Sequence, residues 1–260
     1  SSGQSAGFLT SESEEDMMQL IKKHGLTKAK AIYNVPVEGV NLIVNTIKKY
    51  KIKCDLRKQD CLYLSIKNSH NNRVEKEKQT REEMGLPYEF LNENDLQRYY
   101  PGKGYKTGLK YPGSYGINSF AYCQEIKSIL IKKGVRIYED TEVHKIEKNT
   151  AKTHLGSVTA KNIIICIDKM KKELDKEHSN EYYPLQVYLT VSEPLNEEEM
   201  KSMFPNGELM CWDTRWDYMY CRPVIGNRLL VGGSSIMTVY SSVYNHSPRT
   251  ILKFIKEIKQ

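Results

Sequence analysis

The sequence predicts a mixed α/β chain in which an α/β domain with a buried strand is interleaved with an antiparallel-sheet domain. Three observations lead there. A helical stretch, a glycine, a strand, a hairpin and an apolar run follow one another over 120–167, which are the parts of an α/β domain. From Tyr183 onward aromatic residues alternate with others in the manner of an antiparallel meander. Segment types switch more than once, with no repeat and no flexible linker between them, so the domains interleave rather than follow each other.

Taken in order, 11–16 reads as a helix start. Ser11 or Ser13 can cap it, and Glu14, Glu15 and Asp16 suit the positive end of the helix dipole. Met17, Leu20 and Ile21 recur at helical spacing up to Gly25. A second helix is expected over about 37–50, with Val40, Ile43, Val44 and Ile47 on one stripe. The period changes over 54–66, which reads as strand. Asn71-Asn72 suggests a turn, and the charged residues after it a helix that stops at Gly85. A capped helical turn is expected over 94–100, and loop with short strands over 101–116. Gly102, Gly104 and Gly108 have neither dinucleotide nor NTPase spacing and read as a turn. An amphipathic helix over 120–133 ends at Gly134. Val135 and Ile137 read as a strand, 139–141 as a turn and 143–146 as a second strand. A return hairpin over 151–160 leads to 163–167, a fully buried strand that makes Cys166 a small core residue. Strands follow over 183–191, 212–222 and 228–233, the last two joined at Ile225-Gly226-Asn227, and a final helix over 250–258.

Composition removes several functions. A chain of 260 residues with 39% hydrophobic residues can bury a substantial core. Its net charge is +7, but the excess is diffuse and rich in Lys, without the Arg-aromatic clustering of a nucleic-acid site. Six cysteines, at 54, 61, 123, 166, 211 and 221, form no CxxC pair or zinc spacing, and read as reduced thiols of a cytoplasmic protein. The longest apolar stretch is far short of a membrane span. The six histidines are scattered, and no Ser/His/Asp or Cys/His pattern stands out, so no catalytic residue is assigned.

Two stretches carry more. The chain opens on Ser1-Ser2-Gly3-Gln4-Ser5-Ala6-Gly7-Phe8-Leu9-Thr10. Small residues let a backbone pass close to a bulky ligand, and bare N–H groups can cradle a phosphate. Alone, the strip reads more readily as a flexible end than as a ligand site. The second stretch, Gly134-Val-Arg-Ile-Tyr-Glu-Asp-Thr-Glu-Val143-His-Lys-Ile-Glu, reads as strand, turn and strand.

Together with Lys161 to Ile167, with Tyr220-Cys221-Arg222-Pro223 and with Asn227-Arg228-Leu229-Leu230-Val231-Gly232-Gly233, these segments resemble the FAD-dependent oxidoreductases of the D-amino-acid oxidase and glycine oxidase superfamily. That superfamily includes amine oxidoreductases acting on glutamyl-polyamines, and the match runs through nearly the whole chain in order. The resemblance implies an FAD/NAD(P)-binding Rossmann-like domain over 1–52, 116–172 and 246–260. It implies a substrate domain over 53–115 and 173–245. Ser1, Ser2, Gly3, Gln4, Ser5, Ala6, Gly7, Phe8 and Leu9 would run past the flavin, and backbone at Val143 would hold the adenine. The implied reaction oxidises an amine or amino acid at a CH–NH group by hydride transfer to flavin N5. Arg222 is the candidate anchor for a substrate carboxylate, with a surface ion pair as its other reading. Tyr218, Tyr220 and Trp216 would form an aromatic wall, or pack within the sheet, and Trp212 is expected to be structural. Asp168 would end a strand near ribose or lie in an exposed turn.

The superfamily's GxGxxG turn has no counterpart before Ser1, nor its carboxy-terminal segment after Gln260. Ile167-Asp168-Lys169 replaces the usual small residues. The chain therefore reads as an internal fragment that binds FAD weakly by itself. The alternative is a non-catalytic relic or interaction domain that keeps the fold without cofactor.

Overall fold

The computed structural model describes residues 2–12, 15–66, 71–167, 174, 185–215 and 218–237. A 3-10 turn at Ser2–Gln4 leads into β1 (Phe8–Leu9), then α1 (Met17–His24) and α2 (Leu26–Tyr50). β2 (Arg57–Lys58) and β3 (Asp60–Ile66) follow, then α3 (Asn71–Met84), β4 (Glu89–Leu91), α4 (Glu93–Tyr99), β5 (Tyr105–Tyr111), β6 (Tyr115–Gly116) and α5 (Ser119–Lys132). The remainder comprises β7 (Val143–Glu147), β8 (Thr150–Thr153), β9 (Gly156–Thr159), β10 (Leu185–Val191), α6 (Glu197–Met203), β11 (Leu209–Asp213), β12 (Tyr220–Val224) and β13 (Arg228–Met237).

Contacts divide the described residues into two compact units. One consists chiefly of 126–167, the other of 2–125 with 187–235. In the larger unit a seven-stranded sheet runs in the order β10-β13-β12-β11-β3-β5-β4. β3 and β11 pair in parallel, Cys61 opposite Met210, while β5 on one side and β12 on the other pair antiparallel. Alternation along β3 sends Leu62 and Leu64 to one face and Cys61 to the other, and both faces are covered. On the first face Leu62 and Leu64 meet Leu91, Leu96, Phe204 and Leu209. On the second, Cys61, Leu109 and Tyr111 pack on Val74 of α3. A small sheet, β1-β6-β2, sets Phe8 and Arg57 on either side of Gly116. In the smaller unit β7, β8 and β9 form an antiparallel meander.

Several expectations are corrected. Asp16, not Ser11, caps α1, accepting from Met18 N at 2.8 Å, while Ser11 is buried against the Tyr33 hydroxyl at 3.1 Å. α2 begins eleven residues before Val37 and runs through Pro36. Proline removes one helical donor, but Tyr33 and Val40 are buried on either side, and packing outweighs the loss. Asn71-Asn72 opens α3 instead of making a turn. Gly108 lies inside the seven-residue β5 rather than in a loop. A Cβ there would come within 2.7 Å of Leu96 Cδ2, so this glycine serves close packing under α4. The strand expected over 212–222 is two strands. The buried Asp213 carboxylate accepts from the backbone N–H of Arg215 at 3.1 Å and of Met219 at 3.3 Å, which folds the chain back between them.

Val135 and Ile137 are exposed and form no strand. The run over 163–167 is not a buried strand either: Ile164 is 85% exposed, and Cys166 is exposed. Extended backbone needs a neighbour for its N–H and C=O groups, and among the described residues no strand pairs with this one. The unit boundaries also differ from those expected. Residues 2–52 stay with 53–115 because Met17 and Tyr33 pack on Met84, and β6 joins β1 to β2. The helix expected over 250–258 and Asp168 lie outside the described residues.

Truncating Leu62 to alanine should cost about 2–5 kcal/mol, because the site is closed on all sides. Leu155→Ala, at a position 90% exposed, should cost about 0.5 kcal/mol or less. Urea denaturation of the two variants checks the contrast.

Candidate functional site

The opening strip is held by a few specific ties. Gly7 has φ +70°, a conformation that favours glycine. A Cβ at Gly7 would overlap the Ile117 carbonyl oxygen and approach Arg222 Nη2 to 2.7 Å. The Ile117 N–H donates to Gly7 O at 2.9 Å, and the Ser119 hydroxyl to Ser5 O at 2.9 Å. Ser2, Gln4 and Ser5 remain exposed while Gly7 is buried. The strip therefore sits on the protein at Gly7 and leaves Ser2, Gln4 and Ser5 facing outward.

Arg222, from β12, is the centre of this arrangement. It is 2% exposed, its guanidinium donates to protein oxygens, and the Phe8 ring centre lies 5.8 Å from it. Nε donates to Ala6 O at 2.9 Å and Nη2 to Ile117 O at 2.6 Å. Nη1 faces Gln59 Oε1 and Pro223 O, both at 3.4 Å. Burial pulls this guanidinium down to about 10, which leaves it a cation at neutral pH. The donors expected to anchor a substrate carboxylate are thus engaged by the chain's own carbonyls. The surface ion pair is corrected as well, because the side chain is neither exposed nor in contact with a carboxylate. Gln59, fully buried, extends the network by donating to Glu208 at 2.8 Å and to Pro223 O at 2.9 Å.

The aromatic residues collect beside this tie. The Phe8 ring meets Tyr220 edge-on at 5.5 Å and Trp212 at 6.3 Å, and Tyr218 lies 5.8 Å from Tyr220. Gly232 lets the Tyr220 ring lie against β13, where any Cβ would strike the ring. Burial raises the Tyr220 phenol to about 12, so it stays protonated. Tyr218 is 46% exposed and Tyr220 half-buried, giving an aromatic surface with one open side. Trp212 also touches Tyr63 and Tyr111, as a structural residue would. Ser1 and Trp216 lie outside the described residues.

In the smaller unit, Val143 is half-buried on β7 opposite Thr153, where the register is irregular. Its neighbour His144 stacks on His154 at 4.7 Å and has a buried Nδ1 with no hydrogen-bond partner.

Sequence reasoning missed Gln59, Ile117 and a buried ionic cluster of Glu12, Glu77, Arg81 and Tyr111. Gln59 and Ile117 carry no motif. Arg81 gave no distinct signal either, since α3 also carries Arg73, Lys76 and Lys78 among its acidic residues.

Arg222→Met should destabilise the larger unit by about 3 kcal/mol or more, since several buried acceptors lose their donor. Gly7→Ala should cost at least about 2 kcal/mol through backbone strain alone. Thermal unfolding of both variants measures this, and an Arg222 variant as stable as the parent would contradict the tie.

With the geometry in place, the chain can be set beside known proteins. The family model described as FAD dependent oxidoreductase, the DAO family, matches residues 1–259. A probable oxidoreductase, OrdL, of Haemophilus influenzae is 26% identical over 243 residues, covering 90% of this chain and 56% of that protein. The gamma-glutamylputrescine oxidoreductase of Escherichia coli is 26% identical over 244 residues, with the same coverage. The chain thus spans just over half the length of these relatives. Among solved structures, glycine oxidase from Bacillus cereus superposes with a TM-score of 0.72 at 15% identity, over 99% of this chain and 66% of that one. Glycine oxidase from Geobacillus kaustophilus gives 0.70 at 16% identity, over 98% and 66%. These likenesses show the same fold, and the match along the sequence shows that the chain belongs to the FAD dependent oxidoreductase (DAO) family.

Proposed function

We propose that this chain forms the flavin-side strip and the substrate wall of an oxidoreductase that uses FAD to oxidise an amine or amino acid at a CH–NH bond. The observation that carries the reading is the Arg222 side chain, which joins the opening strip to the strand bearing Tyr220. Two segments more than two hundred residues apart thereby become one surface. The similarity to gamma-glutamylputrescine oxidoreductase supports an amine as the substrate class.

The residues suit a broad, flat cofactor. Ser2, Gln4 and Ser5 are exposed, and the open side of Tyr218 and Tyr220 lies on the unit that carries the strip. When bound, FAD supplies the hydride acceptor at N5. The chain's own contributions are binding, orientation and exclusion of water. Gly3, Ala6 and Gly7 keep the strip narrow, and Phe8, followed by Leu9 in β1, fastens it to the wall. Tyr218 and Tyr220 offer ring faces to the carbon chain of a substrate, and Tyr220 keeps its phenolic proton at neutral pH. Arg222 acts as a positioning residue, because its donors hold Ala6 and Ile117 in place. An amine in its neutral form can give up hydride without a strong protein base, which agrees with a wall made of rings and carbonyls.

The test is a visible absorbance spectrum of the full-length gene product, followed by anaerobic addition of amines. Bound flavin that bleaches with an amine or amino acid is expected, and a colourless protein that takes up no FAD would refute the reading. Tyr218→Ala should weaken kcat/KM about two- to tenfold, the worth of one aromatic contact. Steady-state kinetics across an amine series checks it.

A further inference from the structure

Beyond β1 the chain enters a second polar cluster that the proposed reaction does not use. The Tyr111 hydroxyl, from β5, donates to Glu12 Oε1, and Arg81 Nη2, from α3, donates to the same oxygen at 3.2 Å. Arg81 Nε also donates to Glu77 at 2.8 Å. Arg81 is 1% exposed, and its guanidinium lies 3.5 Å from the centre of the Tyr111 ring. One buried cation therefore serves two carboxylates, and one of them, Glu12, stands two residues after the strip ends at Thr10.

We infer that Glu12 is a positioning residue for the flavin-side strip, and that its gain or loss of a proton sets how firmly the strip is held. The inference rests on the reading of the strip given above.

The neighbours single out Glu12 as the group whose charge changes. From α3, Glu77 adds a like charge and Arg81 an opposite one. Burial opposes the charge on Arg81, but its neighbours Tyr111, Glu77, Glu12 and Tyr33 of α2 outweigh it and hold the guanidinium above its usual range, so it stays a cation. From β3, Cys61 is pushed well up by burial, and Tyr63 to about 12, so neither ionises near neutrality. Tyr111 is likewise well above its ordinary value. Glu77 is raised by burial, with Asp16 adding a smaller push. Burial lifts the Glu12 carboxyl to about 7; the Tyr111 hydrogen bond opposes this and Glu77 adds to it.

The direction follows from linkage. A carboxyl that holds its proton more firmly in the cluster than in water favours the tied state at low pH, and this advantage is lost as pH rises through about 7. An ionised Glu12 regains water when the strip leaves, so release becomes easier on the alkaline side.

The experiment is FAD titration of the full-length apoprotein, followed by fluorescence, with thermal unfolding recorded at each pH. Affinity of the parent should weaken about tenfold between about pH 6 and about pH 8. Glu12→Gln, which keeps the acceptor for Tyr111 without the charge, should be flat over that range. Tyr111→Phe removes the bond that lowers the Glu12 carboxyl, so it should move the midpoint to higher pH. A Glu12→Gln profile with the parent's slope, or an unmoved midpoint in Tyr111→Phe, would overturn the inference. If no form binds FAD, the flavin reading fails. The pH slope of Tm then decides for Glu12: its loss in Glu12→Gln supports the tie, and its persistence overturns it.

Discussion

The larger unit depends on a single guanidinium that replaces water with carbonyl oxygens. Burying a charge is costly unless its donors are satisfied. Arg222 meets that condition with Ala6 O and Ile117 O as its shortest contacts, and with Gln59 and Pro223 beyond them. None of these acceptors carries a formal charge, so the bond strength comes from the cation alone. The geometry in turn dictates the small residues near it. Gly7 and Gly116 each lie where a Cβ would collide with Arg222, and at Gly116 with Gln59 as well. The glycine of the opening strip is therefore explained first by the protein's own packing.

Around this tie the sheet separates two kinds of burial. One face of β3 meets an apolar core of leucines, Phe204 and Cys221. The other face, under α3, mixes aromatic rings with the Glu12–Arg81–Glu77 cluster. Apolar packing is tolerant of small shifts, whereas a buried ionic cluster demands a fixed geometry. The strip and its wall lie beside the second face, where Phe8 and Tyr111 both touch Trp212. The same half of the unit thus holds the stricter interactions and the proposed site.

Much of this was legible in the order of residues, and the failures have physical causes. Helices with a clear stripe and a glycine stop, such as α1 and α5, stand close to where spacing predicts them. Pro36 concealed the first half of α2, because local propensity is weaker than the burial of Tyr33 and Val40. Gly108 looked like a turn because a glycine demanded by close packing is indistinguishable in sequence from one demanded by φ. Ile163 to Ile167 looked like core because a run of isoleucine reports a preference for burial, not the presence of a neighbour. In the site, Phe8, Tyr220 and Arg222 were picked out by motif, and the structure brings them together. The role of Arg222 was not legible, since nothing in its spacing distinguishes a donor to backbone carbonyls from a donor to a ligand. Gln59 and Glu12 were invisible for the same reason: their partners are far away in the chain.

The parallel seam between β3 and β11 has a consequence for biosynthesis. Gln59 and Glu208, at the foot of that seam, are 149 positions apart. During translation β3, β4 and β5 leave the ribosome long before β11 exists to pair with them. Until then the β3 edge presents unpaired N–H and C=O groups beside leucine and tyrosine side chains, a template for wrong partners. Joining such distant strands also makes a late and slow step in folding. The nascent chain must keep this edge soluble while the residues between β3 and β11 are made, a period in which chaperone capture and slow elongation would matter more than final stability.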